Sequence, residues 1–226
     1  ISSPGNGDAK FIRTQESATH ICYCHIPTHF YWSKYEDYIA HPSMRPYWLA
    51  RLGLRTLVKP LRKNDYEAAQ KVDRFIANST HTQKQIQQYY DRPSTVIFPP
   101  VDVARFTPPP KAERSGYVMW GRHVSYKKFD LAIQACNRLG VDLTIIGEGP
   151  ETARLKKLAG PSIQFVGRVS DKEVVRLAQS AKGFLFPGEE DFGIAAVEAL
   201  AAGTPVIAYA KGGALDIVQD GETGVL

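Results

Sequence analysis

The chain has 226 residues, room for one large or two small domains, and its 43% apolar and 23% charged residues are those of a folded globular protein, not a disordered one. No apolar run approaches the roughly 18–20 residues that cross a bilayer, and the first residues lack the basic start and apolar core of a signal peptide. The net charge of +5 suits a phosphate-rich ligand or an anionic membrane face, while three cysteines without a disulfide framework point to a reducing cytosol.

In chain order, Ile1 reads as a strand end followed by a Gly/Asn/Asp turn, with no initiating methionine. Residues 20–24, 73–77 and 95–98 read as strands, and 46–59, 65–71 and 80–90 as helices. Three strands make a thin sheet, so further N-terminal strands are expected. The segment 43–63 carries Arg45, Arg51, Arg55, Lys59, Arg62 and Lys63 and no acidic residue. Arg51, Arg55, Lys59 and Arg62 fall at helical spacing near Trp48, Leu52 and Leu61, and Pro60 limits the helix. Such a basic amphipathic helix can rest on anionic lipid; a solvated helix face is the plainer alternative. Pro99-Pro100 and Pro108-Pro109-Pro110 form a stiff connector, giving domains at 1–112 and 113–226.

From Ser115 onward, strands at 116–120, 142–146, 163–166, 184–187 and 206–209 alternate with helices at 129–139, 151–158, 171–180 and 194–202. The expected fold is α/β, a doubly wound, Rossmann-like parallel sheet. The chain stops at Gly224-Val225-Leu226, where a new apolar segment begins, and both ends read as cut from a larger enzyme.

Ligands of open α/β sheets sit beyond the carboxyl ends of the strands, so the chemistry is sought in the loops there. After the first strand of this half, Gly121-Arg122-His123-Val124-Ser125-Tyr126-Lys127 offers two cations to a pyrophosphate, with a solvated basic turn equally open. Gly147-Glu148-Gly149-Pro150 lacks the third glycine of a dinucleotide fingerprint and reads as a tight turn that lets ligand come close. Phe192, Gly193 and Ile194 open a helix whose amides form an anion site, with Gly193 clearing space for a phosphate. Glu190 precedes that helix, and Glu198 lies within its apolar run, where sugar hydroxyls are suitable partners. A helix-capping acid and a solvated glutamate are the plainer reading of the pair. Cys22-x-Cys24-His25 suggests metal only weakly. Cys22 and Cys24 share one strand face while His25 takes the other, and two small buried hydrophobes is the better account.

Glu190-x(7)-Glu198 with Phe192-Gly193-Ile194, then Ala199-Leu200-Ala201-Ala202-Gly203-Thr204-Pro205-Val206, resembles the signature of family-four retaining glycosyltransferases. The likeness extends through Gly121-Arg122…Lys127, Gly147-Glu148-Gly149-Pro150, Phe165-Val166-Gly167-Arg168 and Gly212-Gly213-Ala214-Leu215-Asp216-Ile217-Val218. It implies the GT-B architecture, two Rossmann-like domains facing a cleft, with the N-terminal one incomplete here. It further implies that Arg122 and Lys127 hold the donor diphosphate without a metal, and that Glu198 binds the ribose. Glu190 and the amides of 192–194 would meet the donor sugar or phosphate, and Gly167 and Arg168 would lie near the base.

The first half resembles one branch, bacterial mannosyltransferases of polysaccharide assembly, in Tyr23-Cys24-His25-Ile26-Pro27, Tyr31-Trp32, Phe75-Ile76-Ala77-Asn78-Ser79 and Ile97-Phe98-Pro99-Pro100-Val101-Asp102. His25 would then touch donor sugar or acceptor from a strand end, the alternative being a histidine satisfied in the core. The chain departs from that branch at His29, where arginine is usual, and at Ser33, where aspartate is usual. The expected function is transfer of a hexose, mannose from GDP-mannose, with retention to a lipid-linked or saccharide acceptor. The expected place is the cytoplasm, at the inner face of the membrane, with no nucleic-acid partner. The competing readings are a non-catalytic nucleotide-sugar-binding fragment or partner subunit, and a sugar-nucleotide epimerase of the same fold.

Overall fold

Short strands and helices alternate along much of the chain, and among the described residues every strand pair is parallel, the outcome that alternating βα segments favour. The computed structural model describes residues 1–3, 8–12, 14, 15, 17–40, 42, 44–107 and 113–226. The turn at residues 5–7, Ser43 and the Pro108-Pro109-Pro110 connector lie outside the described residues. The chain divides into two units, Ile1–Pro99 and Pro100–Leu226.

The first unit contains β1 (Ile21–Cys24), α1 (Tyr35–Ala40), α2 (Tyr47–Gln70), β2 (Arg74–Ala77), α3 (Thr80–Tyr90) and β3 (Ser94–Val96). Its sheet runs β1-β2-β3, with Cys22 opposite Phe75 and Ala77 opposite Val96. Ser2 makes an isolated parallel bridge to Cys22 at the outer edge of this sheet. The alternation of β1 puts Cys22 and Cys24 inward, fully buried with Ala69, Val72, Phe75, Ile86 and Tyr90. They are core residues, and burial raises the Cys22 thiol above its ordinary pKa. Ser79 starts α3 by accepting a hydrogen bond from the Thr82 amide at 2.9 Å, the capping that a serine before a helical run supplies.

One expectation is overturned here. Helices at 46–59 and 65–71 are a single helix, α2, running through Pro60. Proline removes one helical hydrogen bond and crowds the preceding turn, but tertiary ties on its C-terminal side hold the helix together. Arg62 Nε donates to the Tyr31 carbonyl at 2.5 Å, and Asp65, Ala68 and Ala69 are buried. Arg62 also stacks over Trp32 and Tyr35, and Arg51 donates to the Ile39 and Ala40 carbonyls at the end of α1. Two of the four cations of the basic stripe, expected to meet anionic lipid or solvent, therefore also hold backbone carbonyls of this unit. Among the described residues no helix is long and apolar enough to cross a membrane.

The second unit contains β4 (Tyr117–Trp120), α4 (Phe129–Leu139), β5 (Leu143–Ile146), α5 (Thr152–Leu158), β6 (Ile163–Gly167), α6 (Asp171–Ser180), β7 (Gly183–Phe186), α7 (Ile194–Ala201), β8 (Val206–Ala208), α8 (Ala214–Ile217) and β9 (Gly224–Val225). The sheet order is β6-β5-β4-β7-β8-β9, the doubly wound arrangement. Both faces are covered. Met119, Leu143 and Ile145 pack with Phe129, Ile133 and Leu155, while Val118, Ile146 and Phe184 pack with Ala196, Ala199 and Ala214 on the other side.

Residues 100–107 belong to this second unit, which moves the division from the expected 112/113 to 99/100. The physical reason is Phe106, fully buried against Ala178 of α6 and against Ala202 just past α7. The prolines mark stiffness, but burying one phenylalanine decides which unit holds the segment.

Candidate functional site

Strand order reverses between β4 and β7, the kind of switch point at which open α/β sheets bind ligands. The loop after β4 supplies Gly121, Arg122 and Lys127; the loop after β7 supplies Glu190, Phe192 and Gly193. They meet directly. Lys127 Nζ lies 2.5 Å from Glu190 Oε1, both side chains largely buried. A Cβ added at Gly188 would stand 2.7 Å from the Tyr126 carbonyl oxygen, so only glycine allows these loops to touch.

Arg122 is exposed and makes no hydrogen bond or ion pair among the described residues. With Glu148, Gly149, Pro150, Thr152 and Arg168 it lines a cavity of about 470 Å³ at the carboxyl ends of β4, β5 and β6. Arg168 is well exposed, 3.8 Å from Glu148 across that opening. A cavity of about 510 Å³ lined by Ser115, Asp142, Ser162 and Ser180 opens at the opposite, amino ends of the strands, where sheets of this kind do not place ligands.

The glycines are also required by close packing within the chain. Gly147 has φ 108°, and a Cβ there would come 2.2 Å from the Gly121 carbonyl oxygen; at Gly149 it would come 2.4 Å from that of His123. These residues let the β5 loop lie on the β4 loop, and Gly149 also lines the cavity beside Arg122. Gly193 likewise has φ 105°, and its Cβ would meet the Phe186 ring at 2.6 Å. Packing and backbone conformation both require glycine there. Gly167, at φ 69°, ends β6. Gly193 opens α7 with no side-chain cap, which leaves first-turn amides without a capping acceptor, next to a buried Phe192 and a half-exposed Ile194.

Glu198 is mostly buried and held by two donors. Its Oε1 accepts from Arg105 Nη2 at 3.1 Å and its Oε2 from Trp120 Nε1 at 3.2 Å. Neither partner was singled out from the sequence, because Arg105 stands 93 residues away in a stretch that reads as linker. His25 belongs to the first unit, just past β1, where its Nε2 lies 2.9 Å from Ser3 Oγ and its ring meets Tyr23 edge-on. It is half-buried at the strand end and not sealed in the core.

His123 was also missed. It is fully buried beneath the β4 loop, with Nδ1 2.9 Å from Thr152 Oγ1 and its ring against Phe129. Burial pushes the imidazole below its ordinary pKa, with Lys156 acting the same way and the Ile146 carbonyl and Glu148 opposing. As pH falls, the unfolded chain therefore takes up this proton first. Stability is full above about 6.5 and declines below it. Unfolding midpoints measured from pH 8 to 5 should fall less steeply for His123→Gln than for the unaltered chain; parallel curves would contradict the assignment.

Among the described residues no group of three or more His, Cys, Asp and Glu side chains is placed to hold a metal ion. The family described as Glycosyl transferases group 1 matches residues 102–226, more than half of the chain. The chain belongs to the group 1 glycosyl transferases. It is 30% identical over 201 residues to a D-inositol 3-phosphate glycosyltransferase of Nocardioides, covering 71% of this chain and 43% of that protein. It is 46% identical over 95 residues to a GDP-mannose-dependent alpha-(1-6)-phosphatidylinositol dimannoside mannosyltransferase of Mycobacterium tuberculosis, covering 38% of this chain and 25% of that one. The chain thus spans between a quarter and under half of the length of these curated relatives. Among solved structures it is similar to Staphylococcus aureus TarM in a complex containing UDP, with a TM-score of 0.71 at 18% identity, over 96% of this chain and 42% of that one. That likeness shows the fold, α/β of the GT-B glycosyltransferase type.

Proposed function

We propose that the site binds a nucleotide-sugar and that the protein transfers its hexose, mannose from GDP-mannose, to a lipid-linked or saccharide acceptor with retention of configuration. The observation that carries this reading is the meeting of Lys127 and Glu190 beside exposed Arg122 at the switch point of the sheet. A diphosphate placed there meets one guanidinium fork and one ammonium. The donor follows the mannosyltransferase relatives of Corynebacterium glutamicum and M. tuberculosis, whose names specify GDP-mannose.

In this reading Arg122 and Lys127 stabilise charge on the departing diphosphate, the role a divalent cation plays elsewhere. Electrostatic stabilisation of developing charge usually lowers an enzymatic barrier more than any other single effect. No second carboxylate is assigned beneath the anomeric carbon as a nucleophile. The acceptor oxygen instead attacks from the face the diphosphate leaves, the glycosidic C–O bond to phosphate breaks, and a phosphate oxygen takes the acceptor's proton. Glu190 orients donor hydroxyls, Glu198 the ribose, the 192–194 amides the sugar or phosphate, Gly167 and Arg168 the base, and His25 the donor sugar or acceptor. Labelled GDP-mannose with saccharide and polyprenyl-linked acceptors, in the presence of EDTA, tests this: a glycoside with the donor's anomeric configuration is expected. An inverted product, a free epimerised nucleotide-sugar, or binding without transfer to any acceptor would each overturn it.

The same proposal places the protein at the cytoplasmic face of a membrane. Along the first half of α2, Tyr47, Trp48, Leu49, Leu52 and Leu57 are exposed together with Arg45, Arg55 and Lys59, and no acidic residue interrupts them. Co-sedimentation with phosphatidylglycerol vesicles should exceed that with phosphatidylcholine vesicles and fall with added salt. Equal recovery with both vesicle types would remove membrane contact from the account.

A further inference from the structure

Glu198 sits in a run of alanine, valine and leucine on α7, yet its carboxylate is held from two sides by donors of this chain. Arg105 is itself anchored. Its Nη1 pairs with Asp171 Oδ2 at 3.1 Å, and its guanidinium lies over the buried Phe106 ring, 4.9 Å from the centroid. Trp120 is set at the end of β4 by its packing on Phe184, with ring centroids 4.2 Å apart.

A carboxylate accepts about four hydrogen bonds, two on each oxygen. Among the described residues Arg105 takes one position on Oε1 and Trp120 takes one on Oε2, which leaves one acceptor position on each oxygen. The side chain remains 16% exposed, so the carboxylate is not sealed from solvent. Two neighbouring acceptors in one plane match two neighbouring hydroxyls, the cis-diol of a ribose. Without the two donors the carboxylate is free to turn about its last bonds, and the paired acceptors lose their fixed direction.

We propose that Arg105 and Trp120 are positioning residues that lock the Glu198 carboxylate to read the 2′,3′-diol of a nucleoside diphosphate. This rests on the nucleotide-sugar reading given above. Recognition of this kind is selective because a site built to bond a hydroxyl is left with an unmet acceptor when the hydroxyl is missing.

The test is calorimetric titration of the full chain with GDP and UDP, each against its 2′,3′-dideoxy counterpart. The unaltered protein should prefer the ribose form by about tenfold or more. Arg105→Met and Trp120→Phe should each shrink that preference to within a few-fold and leave affinity for the dideoxy form nearly unchanged, and Arg105→Lys should recover part of it. If both forms weaken alike in the two variants, the residues are merely structural and the inference fails. If Arg105→Met and Trp120→Phe keep the full preference while Glu198→Gln loses it, the inference fails and the ribose role of Glu198 stands. If Glu198→Gln also keeps it, or neither nucleotide binds the unaltered chain, the underlying reading of the site is wrong.

Discussion

Lys127→Ala is expected to lower hexosyl transfer by about 10²-fold or more, with donor affinity falling less than turnover. The loss should be concentrated in turnover because the ammonium meets the diphosphate most strongly when the bond to the sugar breaks and negative charge collects there. The structure adds a second reason. Lys127 is ion-paired to Glu190 in a largely buried position, so its removal leaves that carboxylate without its partner beside the incoming anion. Two like charges would then face each other at the switch point. Lys127→Arg should recover only part of the rate, since a planar fork does not reproduce the position of a compact ammonium. Steady-state rates with labelled donor check this, and near-normal turnover in Lys127→Ala would remove Lys127 from the chemistry.

The other large effect is on stability and falls in the first unit. Asp65→Ala should cost about 3–5 kcal/mol, the range for breaking a buried ion pair from one side. Asp65 is fully buried on α2 and gathers the Lys10 ammonium at 3.0 Å, the Thr28 hydroxyl at 3.0 Å, the Trp32 indole N–H at 2.8 Å and the Tyr90 hydroxyl at 2.8 Å. It therefore joins the N-terminal turn, the loop after β1 and α3. Burial, with the Asp65 charge beside it, keeps the Tyr90 hydroxyl protonated far above its ordinary range. Lys10 is buried too and makes no other hydrogen bond among the described residues, so alanine at 65 strands a full charge. Urea unfolding followed by tryptophan fluorescence measures the loss. Adding Lys10→Met to Asp65→Ala should restore much of it, because replacing a buried pair by apolar groups is often neutral. A double variant no more stable than the single one would contradict this account of Asp65.

Periodicity carried the sheet of the second unit. α4 and α6 occupy the residues their apolar spacing marks, with Ser170 capping α6 and Gly140 ending α4 in the left-handed conformation. Arg122, Lys127 and Glu190 stand in loops that follow these strands, and the resemblance to family-four glycosyltransferases marks the same residues; the strand order that brings the loops together is legible only in the structure. What local patterns could not carry were pairings across long stretches of chain. Arg105 meets Glu198, and Lys10 meets Asp65, through contacts that leave no spacing signal. Pro60 shows the opposite case, a local rule overridden by burial and hydrogen bonds on one side of it. The glycines show a further need that the sequence leaves unmarked, close packing within the chain. Gly147, Gly149 and Gly193 admit other parts of this chain.

Everything proposed for the site depends on the β4 and β7 loops of the second unit holding a nucleoside diphosphate through Arg122 and Lys127. Calorimetric titration of GDP into the unaltered chain and into an Arg122→Ala, Lys127→Ala double variant measures that directly. One-to-one binding is expected for the first and at least about a hundredfold weaker binding for the second, with unchanged circular dichroism. Equal affinity in the two proteins, or no heat of binding from GDP, UDP or ADP with the unaltered chain, would contradict it.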